Sequence, residues 1–169
     1  RLKYYFNFLI ALFPLSYIAG NLVINLNIVL IIFSTLIIYN KQIFEIKFEL
    51  LDKVIFAYFL FILFTGIYNE IYFQINDLHP EDYNTLIKSL LFFRYFFLYM
   101  AIRFLIEKDI LNLKLFFILC AFSSIFVSLD IFYQFIFGVD IFGYKPIETS
   151  RKLSGPFGDE LIAGSFIQR

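Results

Sequence analysis

The chain has 169 residues, 61% of them hydrophobic and 22% aromatic, with a mean hydropathy of +0.80. A soluble domain of this size is about half apolar, so the composition excludes an ordinary water-soluble globule and selects a bilayer as solvent. Lysines and arginines number 14 against 14 aspartates and glutamates, which excludes the bulk basic field that recruits nucleic acid and leaves only local charge for recognition.

A helix needs about 17 to 25 apolar residues to cross a hydrocarbon core of roughly 30 Å. Runs of that kind occupy residues 4–19, 22–39, 54–72, 86–106 and 115–137, and another opens at 161. The spacing predicts an all-α, polytopic transmembrane helical bundle of about five spans plus the start of a sixth, a single transmembrane domain over 1–169. Helices are required because lone strands leave backbone groups unsatisfied in lipid, and the ten-residue alternation of a membrane barrel is missing from the pattern. The first run leads straight into the second without a small-residue cleavage site, so the first helix is expected to be retained. Arg1 at the start and an unfinished apolar pattern at Arg169 read as the N-terminal part of a longer protein.

Gly20 and Asn21 join the first two runs in a tight hairpin, and Pro14, Asn7, Asn25 and Asn27 make that pair the least regular. Arg1 and Lys3 precede the first span, Lys41, Lys47 and Lys53 fill the second connection, and Arg103, Lys108 and Lys114 fill the fourth. By the positive-inside rule these sides, and the N-terminus, are cytoplasmic. The third connection carries Asp77, His79, Glu81 and Asp82 without lysine or arginine, which suits the outer side. Alternation then places the joint after the fifth span outside as well. Its Lys145, Arg151 and Lys152 are accompanied by Asp140, Glu148, Asp159 and Glu160, and a basic pair kept on the disfavoured side hints at an anionic ligand.

Polar residues inside spans are the next clue. Arg94 lies about eight residues into the fourth span, roughly 12 Å from its outer end at 1.5 Å per residue. Insertion scales put an arginine there at about 2.5 to 3.5 kcal/mol, so its side chain either snorkels to the interface or contacts a lipid-linked phosphate. Asp130 and Gln134 are four apart and share a helix face, with Ser123 near the same stripe, which predicts a hydrogen-bonded polar seam between helices. The lone Cys120 reads as a small buried apolar side chain, and His79 in His79-Pro80-Glu81-Asp82 as part of a solvated turn. The sequence has no phosphate loop, dinucleotide fingerprint, serine elbow, cysteine pair or histidine pair at metal spacing, so neither a metal nor a cofactor is expected.

The glycines gather in the joint: Asp130-Ile-Phe-Tyr-Gln134-Phe-Ile-Phe-Gly138-Val-Asp140-Ile-Phe-Gly143, then Arg151-Lys152-Leu-Ser-Gly155-Pro-Phe157-Gly158-Asp159-Glu160. Gly155 and Gly158 permit unusual backbone angles, Pro156 stiffens the bend, and a helix N-terminus near Asp159 favours an anion or a capping acid. This ordered set resembles the O-antigen ligase and polymerase superfamily, in which a span ending in an Asp, Gln and Gly pattern leads into an arginine-containing Gly-x-Phe-Gly turn. Many relatives carry asparagine and proline after that turn, whereas this chain has Asp159 and Glu160, so the local charge differs.

The resemblance implies a metal-independent, helical glycosyltransferase of the bacterial inner membrane. It would pass a glycan from a polyprenyl-diphosphate carrier to lipid A core or another acceptor on the outer face. Membrane lipids and a lipid-linked glycan donor are then the partners, and nucleic acid is not. The chemistry needs cations at the diphosphate leaving group and a base on the acceptor. The substrate-binding residues it implies are Arg94, Arg151, Lys152, Gly155, Gly158 and Arg169. No catalytic residue is assigned, since in that family the base lies on a large outward loop beyond the position of residue 169. A polymerase of the same superfamily is the alternative. So is a transporter for a small anionic or sugar substrate, which would show broken helices in corresponding halves.

Overall fold

The computed structural model describes residues 1–76, 85–145, 153–158 and 162–168, with the side chains at 41, 44 and 74 also left aside. Among the described residues every regular element is helical. They are α1 Leu2–Ala11, α2 Phe13–Ile18, α3 Asn21–Tyr39, α4 Leu50–Ile75, α5 Thr85–Phe92, α6 Arg94–Glu107, α7 Lys114–Phe137 and α8 Ala163–Gln168, with 3-10 turns at Asn40–Glu45 and Gly155–Phe157. Four stretches of the described residues are long and apolar enough to cross a membrane: Asn21–Tyr39, Leu50–Phe73, Thr85–Glu107 and Lys114–Phe137. This is an all-α helical bundle of the membrane-spanning class. The distribution of side chains agrees with lipid as solvent, because Phe61, Phe64, Phe122 and Phe135 are exposed while Asn27, Thr35, Asp52, Asp130 and Gln134 are buried.

The chain divides into two compact units, one of Arg1–Leu30 with Asp109–Arg169 and one of Ile31–Lys108. In the first, α7 is the hub and packs against α1, α2, α8 and the Gly155–Phe157 turn. The run expected at 4–19 forms two short helices instead of one span. Pro14, in the first turn of α2, has no N–H to donate and its ring crowds the carbonyl four residues back, which interrupts the helix at Leu12. The interruption is covered by Asn27 of α3, whose Nδ2 donates to the Leu9 carbonyl at 3.1 Å and lies 3.4 Å from Ser16 Oγ. Gly20, at φ +108, makes the turn between α2 and α3. Of the sixth span, the described residues contain the six of α8.

In the second unit α4 packs against α5 and α6. α4 and α5 come close at Gly66, where a Cβ would come within 2.6 Å of Ser89 Cβ, so only glycine admits this helix spacing. Phe59, Phe96 and Met100 form a buried cluster flanked by Phe93, with the Phe59 and Phe96 rings 5.8 Å apart. The expected span at 86–106 is the single apolar stretch Thr85–Glu107, tightened at Phe93, whose carbonyl accepts from Phe96 N–H, three residues on, at 3.0 Å.

Candidate functional site at the end of α7

Ser123, Val127, Asp130 and Gln134 recur at helical spacing on α7, and all four are buried. The Asp130 and Gln134 side chains bond to backbone that follows α7, whereas the side-chain pattern led one to expect a seam with another helix. Asp130 Oδ1 accepts the Ile141 N–H at 2.8 Å, and Gln134 Oε1 accepts the Gly155 N–H at 3.0 Å. Gln134 Nε2 also lies 3.4 Å from Ser154 Oγ and 3.5 Å from the Tyr144 carbonyl, at the limit of hydrogen bonding. One turn and a half of helix thus fixes two separate stretches of loop.

Each stretch is shaped by local chemistry. Gly138, at φ +73, ends α7 with its N–H on the Gln134 carbonyl at 2.9 Å. Asp140 then closes a small loop: its carbonyl accepts the Gly143 N–H at 3.0 Å, its N–H donates to the Tyr144 carbonyl at 2.9 Å, and its carboxylate accepts the Tyr144 N–H. Gly155 sits at φ +57 directly over α7, where a Cβ would be 3.0 Å from Ile131 Cγ1 and 3.8 Å from Asp130 Oδ2. Glycine is therefore demanded twice at this position, by backbone angle and by space. Asp130, Asp140 and Ser154 are all buried, and the second carboxylate oxygens of Asp130 and Asp140 have no hydrogen-bond partner.

Beside this clamp lies a cleft of about 240 Å³ lined in part by Tyr17, Asn21, Tyr144, Pro156, Phe157 and Gly158. The Tyr144 ring borders Gly158, and Tyr17 stacks on Phe166 with ring centres 5.5 Å apart while meeting Phe157 edge-on at 6.2 Å. Aromatic walls and exposed turn backbone suit a ligand that combines polar groups with flat or apolar faces. Among the described residues no three or more histidine, cysteine, aspartate or glutamate side chains gather as metal ligands.

Of the residues singled out in the sequence, Asp130, Gln134, Gly155 and Gly158 come together in the first unit. Arg151, Lys152 and Arg169 lie outside the described residues, as do His79, Asp159 and Glu160. Arg94 belongs to the second unit and is the first residue of α6, just after the tightened turn at Phe93. Its guanidinium reaches the Tyr95 hydroxyl at 3.2 Å, its Cζ is 5.0 Å from the centre of the Tyr95 ring, and its buried Nε has no partner.

A second polar constellation escaped the sequence pattern. Arg103, counted there among loop charges, lies within α6 and pairs with the buried carboxylate of Asp52. Asp52 also accepts the Tyr99 hydroxyl at 2.6 Å and the Glu49 N–H at 2.7 Å, the latter as half of a capping box that starts α4. Arg103 further donates to the Lys47 carbonyl at 3.0 Å, with Glu49 and Glu107 carboxylates at 3.8 and 3.9 Å. Two spacings announce this network: Tyr99, Arg103 and Glu107 at successive fours, and Glu49 three before Asp52. No protein-family model, curated protein or solved structure matches the chain.

Proposed function

We propose that the chain is the carrier-binding part of a membrane glycosyltransferase of the O-antigen ligase type in the bacterial inner membrane. The enzyme passes a glycan from a polyprenyl-diphosphate carrier to lipid A core or another acceptor on the outer face, and a polymerase of the same superfamily is the close alternative. The observation that carries this reading is the clamp of Asp130 and Gln134 on the Ile141 and Gly155 amides, beside an aromatic cleft at a span end. Reacting groups must be held in fixed geometry, and a loop tied to a helix by buried hydrogen bonds is pre-organised in that way. Arg151, Lys152 and Arg169 supply positive charge for the diphosphate, and Gly158 allows close approach of backbone to it.

The test is glycan transfer from a lipid-linked donor by the full-length protein, normalised to the amount inserted in the membrane. Arg151→Ala and Lys152→Ala should each lower transfer at least about tenfold, the loss expected when one charge-assisted contact worth roughly 1.4 kcal/mol is removed. Unchanged transfer in both variants overturns the diphosphate role. A transporter would instead need unwound helix segments, whereas Leu12 and Phe93 both keep right-handed helical angles. Uptake of a free sugar or anion into proteoliposomes, with no glycan transfer, would decide for that second reading.

A further inference from the structure

We propose that the N-terminal end of α7 carries a binding site for the phosphodiester headgroup of an anionic phospholipid, with Lys3 and Lys114 as its cations. A hollow of about 440 Å³ opens there between α1 and α7, lined by Lys3, Asn7, Asn112, Lys114, Leu115 and Ile118, with Tyr4 at its side. Its walls carry two ammonium groups and no carboxylate. Neither lysine forms an ion pair among the described residues.

The hollow is held open by its own hydrogen bonds. Asn7 Oδ1 accepts the Asn112 N–H at 2.6 Å, and Asn7 Nδ2 donates to the Lys3 and Ile110 carbonyls at 2.6 and 3.0 Å. Asn112 Oδ1 in turn accepts the Lys114 N–H at 3.0 Å. Lys3 Nζ donates to the Asp109 carbonyl at 3.0 Å, which positions the ammonium and leaves two of its three protons for a ligand. Asp109 itself adopts φ +52, so the connection bends sharply back onto α1.

The class of ligand follows from height and lining. Lys114 is the first residue of a 24-residue apolar helix, the level at which phospholipid phosphates lie when such a helix crosses the hydrocarbon. Below it Leu115 and Ile118 are exposed and Tyr4 almost fully so, an apolar wall that serves an acyl chain and has no use for a soluble anion. Basic residues at this depth attract anionic lipid by about a factor of five each, equivalent to roughly 1 kcal/mol per lysine.

The test uses the full-length protein in nanodiscs with photoactivatable phosphatidylglycerol or phosphatidylcholine at equal mole fraction, and maps the cross-links by mass spectrometry. Phosphatidylglycerol should label peptides containing residues 3–7 and 112–118 roughly thirtyfold more than phosphatidylcholine, the product of the two lysine factors. Lys3→Gln with Lys114→Gln should erase that preference, and Lys3→Arg with Lys114→Arg should keep it. Excess inorganic phosphate should leave the labelling unchanged. Equal labelling by the two lipids overturns the site, and displacement by inorganic phosphate overturns the lipid as occupant. If the double glutamine variant loses its helicity, the preference in the unsubstituted protein and its decline with Lys3→Gln alone decide the matter.

Discussion

Gln134→Leu removes the acceptor for a buried backbone amide while nearly conserving volume, so its effect isolates one hydrogen bond. The Gly155 N–H, 3.0 Å from Gln134 Oε1, is left in a buried place without the acceptor that it has among the described residues. An orphaned buried donor costs about 1–3 kcal/mol. The other two contacts of Gln134, at 3.4 and 3.5 Å, are too long to add much. Ser154→Ala, which removes only the 3.4 Å contact, should therefore change local stability by less than about 0.5 kcal/mol. Hydrogen exchange in nanodiscs, read on peptides covering residues 153–158, follows opening of this turn directly. Gln134→Leu should speed exchange there roughly 5- to 150-fold, with α4 peptides unaffected. Equal exchange in Gln134→Leu and Ser154→Ala would refute the assignment of the turn to the Gln134 clamp.

Asp52→Ala leaves Arg103 without its buried counter-charge and should destabilise the second unit by about 3 kcal/mol, whereas Tyr99→Phe should remove about 1.5 kcal/mol. Thermal unfolding in a mild detergent ranks the two, and an Asp52→Ala loss no larger than that of Tyr99→Phe would contradict the ion pair's weight. Gly66→Ala forces α4 away from Ser89 and should destabilise by about 1–3 kcal/mol. Adding Ser89→Gly to that variant should restore most of the loss in the same melting experiment. Gly155→Ala places a Cβ at φ +57 and 3.0 Å from Ile131, so a loss of about 2 kcal/mol and faster proteolysis between residues 138 and 158 are expected.

The long helices were legible because lipid allows few alternatives to them. The run at 22–39 is α3, Asn21–Tyr39, and the run at 115–137 is α7, Lys114–Phe137, each within a residue. Pro14 announced irregularity in the first run, and the interruption falls two residues before it. The tightening at Phe93 has no proline or glycine to mark it, so an apolar count passes over it. Arg103 was hidden for another reason: a positive-inside count weighs charge near a span end and is blind to whether that charge has a partner. Its partner, Asp52, is remote in sequence, and the two meet only once α4 and α6 are side by side.

At the candidate site the shared face of Asp130 and Gln134 followed from their spacing, but their partners did not. Ile141 and Gly155 contribute backbone N–H groups, and every residue except proline carries one, so no side-chain pattern singles them out. The glycines did mark the places where backbone comes close. Gly155 touches α7 because it lacks a Cβ, and that contact is what places its amide on Gln134.

On the proposed function, the loops clamped by Asp130 and Gln134 receive a lipid-linked glycan. Hydrogen exchange of the full-length protein in nanodiscs, with and without a polyprenyl-diphosphate-linked glycan, tests it most directly. Slower exchange is expected with the donor, confined to peptides containing Ile141–Tyr144 and Gly155–Gly158 and absent with the polyprenyl chain alone. Unchanged exchange in those peptides, at donor concentrations that support transfer or protect other segments, would contradict it.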